Sequence, residues 1–111
     1  MNRNKLIKLL VSNLSNVIVH DILEKAIDKP EIANVYSKEM INSFTIAKAD
    51  REKINPLDKI LPINDANDMK KRIILNVNAE LNLRISKGYL NIDLSLVEGL
   101  VDKYFKELRI I

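Results

Sequence analysis

Apolar and polar residues alternate without interruption from Leu75 to Ile85. After a short turn sequence at 86–89, the alternation resumes and continues from Leu90 to Leu96. A period of two is typical of a β-strand that buries one face. The pattern therefore predicts a β-hairpin over about 73–96, in which both strands place their apolar side chains on the same face.

The same pattern sets the length of the turn. A two-residue turn at Lys87-Gly88 or a four-residue loop from Ser86 to Tyr89 aligns the apolar residues of the two strands, and Gly88 supplies the positive φ that such a turn needs. The competing interpretation of the first strand is a helix. On a helical wheel, however, its apolar residues form two nearly opposite groups instead of one stripe, which favours the strand. The two groups are Leu75, Ala79 and Leu83 on one side and Ile74, Leu81 and Ile85 on the other.

The first half of the chain has the period of a helical hairpin. One helix is predicted from about Asn4 to Asp28. It is apolar on two opposite sides, so we expect it to be buried on both, by its own domain or by a partner. A break near Ser12 that gives two short helices is an equally good interpretation. Pro30 is the expected first residue of a second helix, which continues to about Ile54.

The segment 55–67 contains two prolines and a run of Asn and Asp, which predicts an irregular connection. The alternative is a short edge strand at 59–63. At the end of the predicted hairpin, Ser95 and Glu98 have the spacing of an N-terminal capping box, and the apolar residues that follow form a single arc. This pattern predicts a C-terminal helix.

The predicted fold class is α+β. A single domain, 1–111, contains two long antiparallel helices, the β-hairpin and the C-terminal helix; the alternative is an all-α four-helix bundle. The chain is 47% hydrophobic and 30% charged, as is usual for folded soluble proteins. Polar residues interrupt the apolar N-terminal run well before the roughly 20 residues that span a bilayer. We therefore expect a cytoplasmic protein with no membrane partner.

Few residues of this chain are suited to catalysis. The absence of cysteine excludes disulfides, thiolate nucleophiles and thiolate metal ligands. His20 is the only histidine and precedes Asp21, whereas a metal-phosphohydrolase site needs further histidines. A structural or solvated role is therefore predicted for His20. Two isolated glycines cannot form a phosphate-binding loop, and 64–68 lacks the glycine and glutamate of a calcium loop. We expect a protein that is not an enzyme and that binds no cofactor, metal or small-molecule substrate. The alternative is an enzyme whose metal site is formed by carboxylates from distant segments.

Positive charge is concentrated around the predicted hairpin, although the net charge is only +3. Helices before a hairpin and a helix after it resemble the outline of a winged-helix domain, although no recognition helix directly precedes the hairpin. The resemblance implies nucleic-acid binding through five basic residues. For the triplet 70–72, the preferred interpretation is a set of solvated charges that flank an apolar strand. The five residues are Lys70, Lys71, Arg72, Arg84 and Lys87.

The preferred functional hypothesis is a non-enzymatic interaction module that acts as a homodimer or as a small subunit of a larger complex. The first helix is apolar on two sides, the C-terminus is apolar, and an isolated hairpin needs further strands or a cover. In a homodimer, two hairpins would pair across a two-fold axis into a four-stranded sheet. The candidate interface residues are Leu9, Val19, Leu23, Ile27, Ile110 and Ile111.

Overall fold

The structure, a computed structural model, describes residues 2–56 and 58–111. Four α-helices and one 3₁₀ turn account for most of these residues, and none of them lies in a β-strand. The α+β prediction is therefore wrong, and the alternative, an all-α four-helix bundle, fits. The helices are α1 (Arg3–Ala26), α2 (Pro30–Glu52), α3 (Ile63–Ser86) and α4 (Val97–Glu107), and the 3₁₀ turn is Leu94–Leu96.

The segment predicted as the first strand of the hairpin is the second half of α3. The buried residues of α3 lie three or four positions apart, on one face that packs against the other helices. The period of two arises because a second apolar row, which includes Leu75 and Leu83, lies on the outward face and interleaves with the buried row. A helical wheel that begins at Ile74 leaves out the first three residues of the buried row and therefore does not show the row as one stripe. This row is Ala66, Met69, Ile73, Val77 and Leu81.

The second half of the predicted hairpin is the connection to α4. Gly88 has the expected positive φ, at 97°, but it ends α3 instead of forming a hairpin turn. The amide of Tyr89 donates to the carbonyl of Arg84 at 3.1 Å, and that of Gly88 donates to the carbonyl of Ile85 at 3.0 Å. This pair of hydrogen bonds is a Schellman cap. Because the described residues contain no strand, the four-stranded sheet and the winged-helix outline are wrong as well.

Helix α1 is the central helix and runs unbroken past Ser12. It packs against each of the other three helices, so both of its apolar sides are covered within its own chain. The predicted helical hairpin of α1 and α2 is confirmed, with helix ends one or two residues from those expected. Pro30 is the first residue of α2, where its missing amide hydrogen is not needed for a helical hydrogen bond.

The predicted irregular connection before α3 is confirmed in its described part but ends earlier than expected, and the cap before α4 differs from the prediction. The segment 64–67 belongs to the first turns of α3, and 59–63 is not a strand. Before α4, Asp93 and not Ser95 supplies the capping side chain. The Asp93 carboxylate accepts hydrogen bonds from the amide of Ser95 at 3.0 Å and from its hydroxyl at 2.6 Å. The cap therefore starts the 3₁₀ turn, and α4 follows it.

Candidate interaction surfaces and polar groove

The outward face of α3 carries apolar side chains about one turn apart. Leu75 is 70% exposed and Leu83 is 49% exposed, and Ala79 lies between them on the same face. We call these three residues the outer ridge. Single exposed apolar residues are normal on a soluble protein, whereas a row along one helix face is suited to packing against another helix.

The outer ridge lies on a surface that is almost free of charge. From 73 to 83 the only charged residue is Glu80, whose carboxylate forms a salt bridge with Arg84 at 3.3 Å. The polar residues next to the ridge include the amides Asn76 and Asn82. A partner that covers the ridge therefore buries little charge.

A shallow groove lies at the end of the molecule where α1 meets α2. Its volume is about 510 Å³, and it is lined by the loop after α1, the start of α2 and the loop after α3. We call it the end groove. The apolar side chains along it are Ile27, Ile32, Tyr89 and Leu90. It is a further apolar surface, separate in sequence from the outer ridge.

A polar groove of about 250 Å³ lies between α1 and α3. Within it, the hydroxyl of Ser15 donates to the carbonyl of Val11 at 2.7 Å and accepts a hydrogen bond from Asn76 at 3.4 Å. The guanidinium of Arg84 lies over the ring of Tyr89, 5.7 Å from its centroid. The polar side chains that line the groove are Ser12, Ser15, Asn16 and His20 on α1 and Asn76, Glu80 and Arg84 on α3.

His20 connects this groove to α2. Its Nε2 lies 2.9 Å from Oε2 of Glu39, and its ring stacks on that of Tyr36 with 5.8 Å between the centroids. Burial lowers the pKa of His20 below its usual 6.5, although the negative charge of Glu39 acts in the opposite direction. His20 is therefore mainly neutral at pH 7 and donates through Nε2 to Glu39. The contact holds α2 against α1.

A second polar contact lies between α1 and α4. The hydroxyl of Tyr104 donates a 2.6 Å hydrogen bond to the buried carboxylate of Asp21, which also pairs with Lys25. Burial and this carboxylate raise the pKa of Tyr104 well above its usual range, so the hydroxyl stays protonated. The contact between Tyr104 and Asp21 fixes the position of α4.

Within the described ranges, no three His, Asp or Glu side chains are grouped so that they could hold a metal ion.

Arg51, which the sequence did not single out, is fully buried near the end of α2. Its guanidinium donates to the carbonyl oxygens of Leu108 at 3.0 Å, Arg109 at 2.9 Å and Lys59 at 2.7 Å. These hydrogen bonds join the C-terminal segment to the connection before α3. A signal was present in the sequence, because Arg51 follows the buried Ala47 by one helical turn and so lies on the buried face of α2.

The five basic residues predicted to contact nucleic acid all lie on α3 or at its C-terminal cap. Consecutive helical residues point about 100° apart, so the triplet 70–72 does not present one basic face. Lys71 and Lys87 are exposed and form no salt bridge in the part of the chain that the structure describes. The other three pair with carboxylates: Lys70 with Asp102 at 3.0 Å, Arg72 with Asp68 at 3.5 Å and Arg84 with Glu80 at 3.3 Å.

The six apolar residues predicted as an interface are divided between the core and the surface. Val19, Leu23 and Ile110 belong to the chain's own core, so a partner does not reach them in the folded state. Ile110 is buried because a Schellman cap at the end of α4 turns it inward, where its carbonyl accepts from the amide of Leu61 at 3.1 Å. The remaining three are half-buried or exposed: Leu9, Ile27 and Ile111.

No protein-family model, curated protein or solved structure matches this chain. Its function is therefore inferred from the placement and chemistry of its own residues.

By length and composition alone, α1 is apolar enough to cross a membrane. In the structure, 67% of its most apolar 18-residue window is buried inside the fold. The core helix of a soluble protein, which is mostly buried, and a signal sequence near the N-terminus both pass the same test of length and composition. The cytoplasmic location therefore stays a prediction.

Proposed function

We propose that this protein is a non-enzymatic interaction module that binds another protein through the outer ridge of α3. The observation that carries the proposal is the exposure of Leu75 and Leu83 on one nearly uncharged helix face. Burying a fully exposed leucine contributes about 1.5–3 kcal/mol. Leu75 and Leu83 are 70% and 49% exposed, so each contributes correspondingly less, and together they provide the apolar centre that small protein interfaces use.

The state of the titratable side chains supports binding over catalysis. General acid–base catalysis needs a group that exchanges a proton with a substrate. His20 is instead engaged with Glu39, and Tyr104 with Asp21. Both pairs join helices of the fold, so their chemistry is used for structure.

Nucleic-acid binding through the five basic residues is the alternative function and has less support. Three of the five cations are paired with carboxylates, and the hairpin on which Arg84 and Lys87 were expected is a helix followed by its cap. Binding to duplex DNA whose affinity falls steeply with salt concentration would support this alternative.

The proposal is tested by partner capture with three purified forms of the full chain. These are the wild type, a ridge variant with Leu75→Ser and Leu83→Ser, and a control variant with Val35→Ser and Ile46→Ser. The control residues suit the comparison because they are apolar, lie on α2 and are each 52% exposed. Circular dichroism checks that all three forms are equally helical.

Captured proteins are identified by mass spectrometry, and each interaction is then reconstituted from purified components. We expect the wild type and the control variant to hold the same partner and the ridge variant to lose it. The proposal is wrong if the ridge variant holds every partner of the wild type. It is also wrong if the wild type binds no protein at all, a second copy of itself included.

A further inference from the structure

We infer that the partner of the outer ridge is a second copy of this chain, with the two α3 helices packed antiparallel about a two-fold axis at Ala79. The inference rests on the proposed function and adds the identity of the partner. A two-fold dimer uses the same patch on both subunits, so the patch must be complementary to itself. The surface around Ala79 has this property.

From 75 to 83 the sequence of α3 is nearly symmetric about Ala79. Leucine lies four residues away in both directions, and asparagine lies three residues away in both directions. In an antiparallel pair with its axis at Ala79, residues at equal distances before and after Ala79 lie level with each other across the interface. Leu75 is then level with Leu83 of the second copy, and Asn76 is level with Asn82 of the second copy. Apolar side chains therefore meet apolar side chains, and amides are level with amides.

The size of the side chains also suits this arrangement. Packed helix axes lie about 8–10 Å apart, and a small residue at the contact permits the shorter distance. Ala79 provides that small residue at the axis. Leu75 and Leu83 lie about 6 Å from it along the helix, because each residue rises about 1.5 Å. The leucines of both copies then pack on either side of the crossing point.

The centre of this surface, but not its two ends, carries no charge that opposes self-association. Two copies carry the same net charge of +3, so they associate most readily where charge is absent. The outer ridge and its flanking amides are uncharged. Arg72, about two turns before Ala79, is level with Ser86 of the second copy, but Lys71 is level with Lys87 of the second copy, so like charges meet at both ends of the ridge and limit the affinity. Arg72 also keeps its own partner, Asp68.

The contact surface is small. The ridge covers about two and a half turns of helix, far less than the interface of a permanent dimer. We therefore expect a reversible dimer with a dissociation constant in the micromolar range. The dimer forms at high protein concentration and dissociates on dilution.

The lack of cysteine in the chain allows a direct test by disulfide formation. In the dimer, the two copies of Ala79→Cys face each other, within the Cα separation of about 4.4–6.8 Å that a disulfide needs. We expect far more crosslinked dimer from Ala79→Cys than from Val35→Cys, an exposed control position on α2. A mixture of Leu75→Cys and Leu83→Cys should crosslink between the two variants more than either variant crosslinks with itself.

Analytical ultracentrifugation of the full chain is the second measurement. We expect the wild type to show a monomer–dimer equilibrium, and Leu75→Ser with Leu83→Ser to raise the dissociation constant about tenfold or more. The inference is overturned if the wild type stays monomeric at high micromolar concentration and Ala79→Cys crosslinks no more than the control. Preferential crosslinking of Leu75→Cys with itself overturns it too, because that result indicates a parallel pair. The proposed function fails separately, when no captured protein depends on the ridge.

Discussion

The inward face of α3 is buried against the other helices, whereas the outward face, a few residues away along the chain, leaves Leu75 and Leu83 exposed to solvent. Both faces carry apolar side chains at helical spacing, and both include leucine. The inward face stabilises the monomer, and the outward face is available to a partner. The comparison shows that apolar spacing identifies a surface that packs, while the rest of the fold decides which of two such surfaces packs inside.

Two leucines of this one helix should differ strongly in their contribution to stability. Leu81→Ala leaves a cavity beneath the fully buried inward face and should lower the free energy of unfolding by about 2–5 kcal/mol. Leu83→Ala removes the same atoms from the exposed outward face and should lower it by about 0.5 kcal/mol or less. Urea unfolding at a protein concentration that keeps the chain monomeric measures both values.

The two variants control for each other, because both replace leucine by alanine in the same helix and so change helix propensity equally. Equal losses of stability would mean that the outer ridge is buried and that the two faces do not differ. For self-association the order should reverse. Leu83→Ala should weaken the dimer, whereas Leu81→Ala should act only through the stability of the monomer.

The buried guanidinium of Arg51 is a polar group inside the fold and can be tested in the same way. Arg51→Met keeps much of the apolar bulk but leaves the carbonyl groups of Leu108, Arg109 and Lys59 without their buried donor. We expect the free energy of unfolding to fall by about 2–3 kcal/mol. The control is Arg72→Met on the outward face, which should change it by about 0.5 kcal/mol or less. A loss no larger than that of the control would show that the buried guanidinium does not stabilise the C-terminal segment.

Much of the helical framework was predictable from local sequence. The ends of α1 and α2 follow from Pro30 and from apolar spacing over more than six turns, and neither signal depends on the rest of the fold. The conformation of α3 was not predictable in this way. Its inward and outward rows interleave, and the sum of two helical rows imitates the period of a strand. A helical wheel that starts at Ala66 shows the inward row at helical spacing, and the packing of α1 against this row confirms the helix.

The candidate surfaces were predictable in part. The helical wheel already separated Leu75, Ala79 and Leu83 from the other apolar residues of the segment. Because a strand was preferred, these three residues were not interpreted as one face of a helix. The partner of His20 was not predictable, because Glu39 lies on another helix and the pair depends on how the two helices are aligned. Burial of Ile110 likewise depends on the cap that follows α4.

The smallest effect concerns the polar groove, which runs along the edge of α3 between its two faces. Because the pKa of His20 is lowered in the folded state, the unfolded chain takes up a proton at a higher pH. The stability that His20 contributes is therefore fully present above its unfolded pKa of about 6.5 and is lost as the pH falls towards the folded pKa. We expect a small decrease in the urea midpoint between about pH 7.5 and about pH 5.5, and a smaller decrease in His20→Gln.

The single histidine gives one set of imidazole signals, so NMR titration of the folded chain measures this pKa directly. We expect a pKa below 6.5 for the wild type, and a lower value in Glu39→Gln because the carboxylate that favours the charged imidazole is removed. Glu31→Gln, in the first turn of α2, is the matched control and should leave the pKa unchanged. A wild-type pKa above 6.5 would mean that the attraction of Glu39 outweighs burial. The sign of the pH dependence would then reverse, and acidification would strengthen the contact between α1 and α2.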